Sequence, residues 1–260
     1  MIPYFEVHSF TDRIFRGNPA GVCLLEMWLD DDLMAAIAAE NNLSETAFVV
    51  PRGNRFELRW FTPSVEVDLC GHATLATAYV LYEHLVYEDT AIVFDTKSGE
   101  LAVWKDEDFF VMDFPSRPAI STDIPDHLAD GLRRDIESVF KARDFLVVFD
   151  SEKEVRNVDP DFSELEKIDC EGIIVTAPGD EVDFVSRFFA PRMGILEDPV
   201  TGAAHSTLTP FWAERLGKNP LRARQISERG GDLWCKQMED RVYIAGRAAL
   251  YVKGFLNIEQ

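Results

Sequence analysis

A carboxylate at the start of an apolar segment is the first group in the chain with the surroundings of an acid/base catalyst. Glu45 lies in NLSETAFV, between Ser44 and Thr46. A carboxylate that apolar neighbours partly bury has a raised pKa, which suits it to general acid/base chemistry. A surface or capping acid at a turn is the alternative, and the segment taken alone favours that structural role.

A second carboxylate stands before a tight turn and a small-residue segment. Asp198 belongs to LEDPVTGAAHSTL (196–208), and a shorter version, DLCGHATL, occupies 68–75. Each segment carries a histidine, His205 in the first and His72 in the second. Asp198 is suited to capping a helix N-terminus, or to holding the amine of a ligand or a partner histidine. The histidines have no close third ligand, so a metal site is not expected, and packed core histidines are the alternative.

A thiol also stands at the expected start of a helix. Cys70 directly precedes Gly71, and a thiolate at a helix N-terminus has a lowered pKa and can abstract a proton. A racemase with two catalytic thiols would need a second cysteine in the matching segment, ILEDPVTGAAH, which contains none. A two-cysteine mechanism is therefore not expected, and a small buried side chain is the alternative role for Cys70.

The positions of these segments indicate an internal repeat. RWFTP matches RFFAP, 128 positions later, and GHATL matches AHSTL, 133 positions later. Two matches in the same order predict two related halves, with His72 and His205 at equivalent positions. Ligands commonly bind between such halves. The helix starts at Gly71 and Gly202 would supply backbone N–H groups and a partial positive charge, which suits a carboxylate ligand.

Composition and charge limit the classes of partner. The chain has 260 residues, of which 47% are hydrophobic and 28% charged, as in soluble globular proteins. Lys and Arg total 26 against 46 Asp and Glu, a surplus of negative charge that repels nucleic acid and anionic membranes. No apolar run approaches the roughly 18 residues of a membrane span. The N-terminus lacks a signal-peptide pattern and the cysteines are scattered, so a cytoplasmic protein is expected.

The predicted elements mix helices and strands without regular alternation. Helices are expected over 30–42, 71–85, 126–140 and 202–217, and the second is apolar nearly all round and therefore buried. Three short strands in AIVFDTK, ELAVWK and FFVMDF predict a meander, and SRPAISTDIP (116–125) is the expected linker. Tight turns between strands favour an antiparallel α+β fold over a doubly wound one.

Four motifs together resemble those of the phenazine-biosynthesis isomerase family, the PhzF-like proteins. They are GNPAGV, NLSETAF, FTPSVEVDLCGHATLA and EDPVTGAAHSTL, in this order over nearly the whole chain. The resemblance implies the diaminopimelate-epimerase-like fold. In that α+β fold, two similar domains are related by a pseudo-two-fold axis, and each is a mixed or antiparallel sheet around a central buried helix.

The resemblance also implies the organisation of the chain. The first domain covers 1–116, and a C-terminal strand at about 250–260 returns to it. The second domain covers 117–249, with the active site in the cleft between the two. No cofactor, no metal and a homodimer are implied, with a small anionic or zwitterionic carboxylate as the substrate.

Roles for single residues follow from the same resemblance. It implies that Glu45 is the acid/base that moves a proton between carbons of a cyclic amino-acid substrate, with Asp198 and His72 as supporting polar residues. The implied substrate-binding positions are Gly71, His72, Gly202, Ala203, Ser44 and Thr201. The phenazine enzyme has Ser where this chain has Ala203, so one hydroxyl contact to substrate is missing. Cys70 stands where the related diaminopimelate epimerases keep one of two catalytic cysteines.

The resulting hypothesis is a cofactor-independent isomerase or epimerase acting on a small carboxylate, an amino acid or cyclic amino acid. One alternative is a binding or sensor protein in which Glu45 only pairs with the amine of a ligand. Another is a structural or partner-binding dimer. A serine hydrolase is disfavoured because no G-x-S-x-G motif occurs.

Overall fold

The chain divides into two units, and each contains a helix rich in small residues. A computed structural model describes residues 1–85, 87 and 89–258. The first unit comprises Met1–Phe114 with Tyr243–Gln260, and the second comprises Pro115–Val242. Within the returning strand predicted at about 250–260, residues 259 and 260 lie outside the described residues.

The first unit is built on a mixed sheet. Its elements are β1 (Ile2–Ser9), β2 (Asn18–Leu24), α1 (Asp31–Asn41), β3 (Glu45–Arg52), β4 (Arg55–Phe61), β5 (Glu66–Val67), α2 (Gly71–His84), β6 (Ile92–Thr96), β7 (Gly99–Asp106), β8 (Phe109–Pro115) and, from the end of the chain, β18 (Ala248–Leu256). The strands lie in the order β18–β1–β2–β3–β4–β6–β7–β8, with β5 added beside β4. The β2/β3 and β4/β6 pairs are parallel, and the other pairs of this series are antiparallel.

The helix α2 is buried along most of its length. Every residue from Gly71 to Ala78 is buried, and the helix packs against β1, β2, β3 and β7. The short side chains of this segment let strands approach the helix on several sides, which explains its nearly uniform apolar character. The sheet therefore holds the N-terminus of α2 in a fixed position inside the unit.

The second unit repeats this plan. Its elements are β9 (Ile120–Thr122), α3 (Leu128–Leu132), β10 (Val139–Lys141), β11 (Phe145–Val148), α4 (Glu152–Arg156), α5 (Phe162–Leu165), β12 (Ile173–Pro178), β13 (Phe184–Ala190), a 3₁₀ turn (Pro191–Met193), β14 (Ile195–Asp198), α6 (His205–Leu216), β15 (Leu221–Gln225) and β16 (Gly231–Met238). A further strand, β17 (Arg241–Gly246), contains the junction between the two units.

Strand pairing in the second unit has the same sequence of directions as in the first. The order is β9–β10–β11–β12–β13–β15–β16, with β14 added beside β13. The β11/β12 and β13/β15 pairs are parallel and the others are antiparallel. Helix α6 buries seven residues and follows β14 as α2 follows β5. The pairing confirms the predicted α+β fold of two similar units, each with a mixed sheet and a buried helix.

The helix predicted over 126–140 is wrong for most of its length. The helix covers only Leu128–Leu132 and ends where Arg133 adopts a left-handed conformation with φ 50°. Residues Val139–Lys141 instead form β10, which lies between β9 and β11. Sheet pairing outweighs local helix propensity there, because the strand supplies hydrogen-bond partners to both neighbours.

Two further expectations need correction in detail. The helix predicted from residue 202 starts at His205, because Gly202 and Ala203 accept i+3 hydrogen bonds in a preceding turn. Its predicted end at Gly217 is confirmed, since that glycine adopts a left-handed conformation. The expected linker at 116–125 contains β9 and is hydrogen-bonded to the second unit through the Ser116 and Arg117 N–H groups.

In the described part of the chain, none of the helices has the length and apolar character needed to cross a membrane.

Candidate active site

The start of β3 places the first predicted carboxylate inside the first unit. Glu45 is the first residue of β3 and pairs in parallel register with Ala20 of β2. It is buried, with 9% of its surface exposed, whereas Ser44 just before the strand is half-buried. The burial results from the register, because β3 lies between two neighbouring strands and continues into apolar residues.

The start of α2 places an imidazole beside that carboxylate. His72 is the second residue of the helix, and its Nε2 lies 3.1 Å from Glu45 Oε2. The contact is a close approach and not an aligned hydrogen bond. Ser9 holds the backbone of the histidine, since its Oγ donates to the His72 carbonyl at 2.7 Å. The structure thus brings together two residues that the sequence motifs predicted separately.

The other side of the imidazole faces an amide and a thiol. Asn18 Nδ2 lies 3.2 Å from His72 Nδ1, and Cys70 Sγ lies 3.5 Å from the same atom. Burial lowers the pKa of His72 to about 3, and a hydrogen bond to the Pro19 carbonyl acts in the opposite direction. The ring is therefore neutral at physiological pH. Sequence reasoning missed Asn18, although it is the one polar side chain in GNPAGV.

The first turn of α2 has the properties of an anion site. Cys70 is the N-cap residue in an extended conformation, without a side-chain capping hydrogen bond, and the first turn contains no acidic residue. Unpaired N–H groups and the helix dipole favour a carboxylate at such a terminus. Gly71, predicted to bind substrate through its backbone, is the first residue of this turn.

The same cluster has the donor set for a metal ion. Glu45, Cys70 and His72 each offer one ligand atom, and these atoms lie within 4.8 Å of one another. Carboxylate, thiolate and imidazole groups are all zinc ligands. The sequence-based expectation that the protein uses no metal therefore stays a prediction.

The second unit positions Asp198 in a separate hydrogen-bonded group. Asp198 is the last residue of β14 and is buried, and its Oδ2 accepts a hydrogen bond from the Thr201 hydroxyl. Gln225 clamps both ends of this turn: Nε2 donates to the Asp198 carbonyl at 2.7 Å, and Oε1 accepts from the Thr201 N–H at 2.8 Å. Sequence reasoning missed Gln225, which belongs to none of the four motifs. The only signal for it is its position at the buried end of the alternating strand LRARQ.

The remaining predicted positions lie in the turn before α6. Gly202 is buried and its carbonyl accepts from the His205 N–H at 3.0 Å, while half-buried Ala203 accepts from the Ser206 N–H at 3.1 Å. The predicted site residues therefore form two local groups. One contains Glu45 with the start of α2, and the other contains Asp198 with the start of α6.

Matching Arg–Glu pairs fix the equivalence of the two units. Arg59 binds Glu66 through two hydrogen bonds of 2.7 and 2.8 Å, and Arg187 binds Glu197 through two of 2.7 and 2.9 Å. In each case the arginine is on the longer strand and the glutamate is on the short strand added beside it, β5 or β14. Glu197 is thus the counterpart of Glu66. The separation of these two glutamates in the sequence differs from the separation of the two histidines that the motif match paired.

The pairing of His72 with His205 in the repeat is therefore wrong. The Thr74 hydroxyl donates to the Cys70 carbonyl, and His205 Nδ1 donates in the same i to i−4 pattern to the Thr201 carbonyl at 2.9 Å. His205 consequently matches Thr74, and Thr201 matches Cys70. An irregularity in the β13/β14 pairing shifts the register, which the short motif match could not reveal.

One consequence is that Ala203 stands at the position of His72, so only the first unit carries an imidazole there. His205 has a structural role, because Nδ1 binds the Thr201 carbonyl and the side chain is fully buried. Burial lowers the pKa of His205 to about 4, so this ring is also neutral at physiological pH.

Comparison with known proteins identifies the family. A family model described as phenazine biosynthesis-like protein matches residues 7–254. A Pseudomonas aeruginosa protein named "Uncharacterized isomerase" is 51% identical over 254 residues, covering 98% of each chain. A crystal structure of a phenazine biosynthesis protein of the PhzF family from Enterococcus faecalis has a TM-score of 0.94 and 47% identity, covering 97% of this chain and 98% of that chain.

A more distant structure shares the fold alone. A probable proline racemase from Agrobacterium radiobacter is 10% identical with a TM-score of 0.70, covering 100% of this chain and 94% of that chain. The racemase and epimerase architecture is thus common to this chain and to much more divergent proteins. The chain belongs to the phenazine biosynthesis-like protein family and, like its relatives named isomerases, is an isomerase.

Proposed function

We propose that the chain is a cofactor-independent isomerase or epimerase that moves a proton between carbons of a small carboxylate, amino-acid-like or a cyclic amino acid. The observation that carries this proposal is the approach of His72 to the buried carboxylate of Glu45 at the start of α2. A carboxylate, a neutral donor and a helix N-terminus are the groups that proton transfer next to a substrate carboxylate requires.

Glu45 is the proposed acid/base. Its carboxylate takes a proton from a carbon next to an activating group, and the electron pair left behind delocalises into that group. Return of the proton to a different carbon gives an isomer, and return to the opposite face of the same carbon gives an epimer. No atom is gained or lost in either case, so the reaction needs no second reactant.

The first turn of α2 is the proposed carboxylate-binding element. Its N-terminus has no capping side chain and no acidic residue, and the backbone of Gly71 and His72 lies there. A negatively charged ligand gains both hydrogen bonds and the favourable end of the helix dipole. Such a local site also explains how a strongly acidic chain can accept an anion.

The second group is proposed to orient the substrate. Asp198 and Thr201 are joined by a hydrogen bond and fixed by Gln225, so the carboxylate is held for a substrate amine or hydroxyl. Backbone groups of Gly202 and Ala203 are proposed to contact the substrate, as is Ser44 in the first unit. A homodimer in the cytoplasm stays part of the proposal.

The test is proton NMR in D2O with candidate substrates. The panel contains a dihydro-hydroxyanthranilate, kynurenine-like and diaminopimelate-like compounds, and simple amino acids. The wild type is expected to exchange a carbon-bound proton or form a product, and Glu45→Gln is expected to abolish both. Glu40→Gln, an exposed carboxylate on α1, is the matched control and should keep full activity.

Two outcomes would overturn the proposal. Full turnover in Glu45→Gln would remove the assigned acid/base. Tight binding of a panel compound to the wild type without any exchange would support the alternative, an amino-acid-binding or sensor protein in which Glu45 pairs with an amine.

A further inference from the structure

Two polar residues on neighbouring strands hold the same histidine. Ser9 of β1 and Asn18 of β2 face each other in the antiparallel register. The Ser9 hydroxyl binds the His72 carbonyl, and the Asn18 amide nitrogen lies 3.2 Å from His72 Nδ1. One residue therefore fixes the backbone of the histidine, and the other contacts its ring.

The residue before Asn18 is a glycine, Gly17, at which a side chain would collide with the neighbouring backbone. Gly17 has φ +66°, and a Cβ there would lie 2.2 Å from the Ser9 carbonyl oxygen. A side chain would also be strained by the left-handed backbone. This close packing brings Asn18 into β2 with its side chain fully buried, so the amide has a fixed place beside the ring.

The polar atoms around the ring distinguish its two neutral forms. In the Nε2–H tautomer, Nδ1 is a lone pair that accepts from the Asn18 amide, and Nε2–H points toward the side of Glu45. In the Nδ1–H tautomer, two donors would face each other across 3.2 Å, and a lone pair would face the carboxylate. The first arrangement pairs a donor with an acceptor at Nδ1 and places a donor on the side of the carboxylate, whereas the second sets donor against donor at the amide. The Pro19 carbonyl also accepts from the ring and favours a proton on whichever nitrogen faces it.

We propose that Asn18 is a positioning residue that holds the neutral ring of His72 in its Nε2–H tautomer, so that the ring presents a donor to Glu45. The Cys70 thiol, 3.5 Å from Nδ1, can donate to the same lone pair and acts in the same direction. The catalytic meaning of this inference rests on the proposed function. A fixed, neutral His72 ring stabilises the charged form of Glu45 and does not itself titrate in the same pH range.

The charged and titratable side chains that contact the ring are few among the described residues. Glu45 on β3 faces Nε2, and Cys70 at the N-cap of α2 faces Nδ1. The contacts from β1 and β2 are made by the neutral side chains of Ser9 and Asn18. The side-chain groups that bear on the tautomer are therefore the amide and the thiol on one side and the carboxylate on the other, beside the backbone carbonyl of Pro19.

The experiment is two-bond ¹H–¹⁵N NMR of the ligand-free, full-length protein labelled at histidine, near pH 7. The His72 signal is assigned by its loss in His72→Gln. The wild type is expected to show a pyridine-type Nδ1 and a pyrrole-type Nε2 for His72. His205 supplies an internal reference of the opposite kind, because its Nδ1 donates to the Thr201 carbonyl.

Variants at position 18 test the cause. Asn18→Asp replaces the donor with an acceptor of the same shape and is expected to move the proton of His72 to Nδ1 or to protonate both nitrogens. Asn18→Ala removes the donor and is expected to give a mixture of tautomers. The control is Asn54→Asp, which makes the same change in an exposed turn and should leave His72 unchanged.

Each result decides the proposal without any substrate. A wild-type His72 with the proton on Nδ1, for example donating to the Pro19 carbonyl, would overturn it. So would an Nε2–H tautomer that persists in Asn18→Ala and in whatever Asn18→Asp protein folds. Failure of the proposed function is separate, because it appears as proton exchange retained in Glu45→Gln with the tautomer as expected.

Discussion

His72 Nε2 and Glu45 Oε2 are 3.1 Å apart, and both side chains are buried. Because burial holds the pKa of His72 at about 3, the contact joins a neutral ring to the carboxyl group and is not an ion pair at physiological pH. A neutral donor beside a base lowers the free energy needed to ionise the base, and the ring itself neither gains nor loses a proton.

Removing the ring should therefore impair the reaction more than the fold. We expect His72→Gln to reduce solvent exchange into the substrate by about 10²-fold, within the range for a group that supports general acid/base catalysis. The rate is measured by NMR in D2O with the panel compound that the wild type turns over. His127→Gln alters a half-exposed histidine paired with Glu164 and should have no effect. Equal rates in His72→Gln and wild type would contradict the role.

Acid should destabilise the protein partly through His205. An unfolded histidine titrates near pH 6.5, whereas burial lowers the pKa of His205 to about 4 in the folded chain. As the pH falls from about 6.5 to 4, the unfolded state takes up this proton first, and native stability decreases by roughly 1 kcal/mol per pH unit from this group. At pH values above the unfolded pKa the contribution of this group to the pH slope vanishes.

The measurement compares urea unfolding of wild type and His205→Asn at pH 7 and at about pH 5. The wild type is expected to lose more free energy of unfolding between these pH values than the variant does. Other groups contribute to the pH dependence of stability in both proteins. His72 acts in the same direction as His205, whereas Asp144, whose pKa burial raises to about 6, acts in the opposite direction. Identical pH slopes would exclude a buried neutral His205.

The Gln225 clamp should contribute to stability and to the geometry of the Asp198 turn. Gln225→Ala leaves the Thr201 N–H and the Asp198 carbonyl without their partner, which we expect to cost about 1–3 kcal/mol. Gln225→Glu keeps an acceptor for the N–H but replaces the donor with a buried carboxylate that faces the Asp198 carbonyl, so a loss at least as large is expected. Urea denaturation measures both, and a Gln225→Glu variant as stable as the wild type would refute the assignment of the donor.

The two Arg–Glu pairs should differ in strength. Arg187 also donates through Nη1 to the Val158 carbonyl at 2.7 Å and the Val155 carbonyl at 3.3 Å, so it connects β13 to the end of α4 and to the residues that follow it. Lysine cannot form the two-pronged contact with a carboxylate and also reach these carbonyls. We expect Arg187→Lys to be more destabilising than Arg59→Lys by about 1 kcal/mol, measured as the difference in free energy of unfolding. The reverse order would contradict this account.

The sequence predicted the pair at the centre of the first group but not its supporting residues. Glu45 and His72 each lie in a short motif, but the local pattern alone favoured structural roles for both, and their assignment to a site depended on the family resemblance. Asn18 and Gln225 contact residues that are distant in the sequence, and these contacts depend on how the strands pair. That information is absent from any short window of the chain.

The errors have the same origin. The match of His72 with His205 relied on short similar segments, whereas the Arg–Glu pairs and the i to i−4 hydrogen bonds make Thr74 the counterpart of His205. The helix expected after Asp126 has a suitable periodic pattern, yet β9 and β11 recruit Val139–Lys141 as a strand. Local propensity and tertiary pairing disagreed at both places, and pairing prevailed.

The pairing of β18 with β1 has a consequence for synthesis of the protein. Ile2 of β1 is opposite Leu256 of β18, so the first unit cannot close its sheet until β18, which follows the second unit in the chain, has left the ribosome. The second unit is uninterrupted, and all its strands emerge earlier. The half translated first is thus completed last, and β1 has a free edge during elongation.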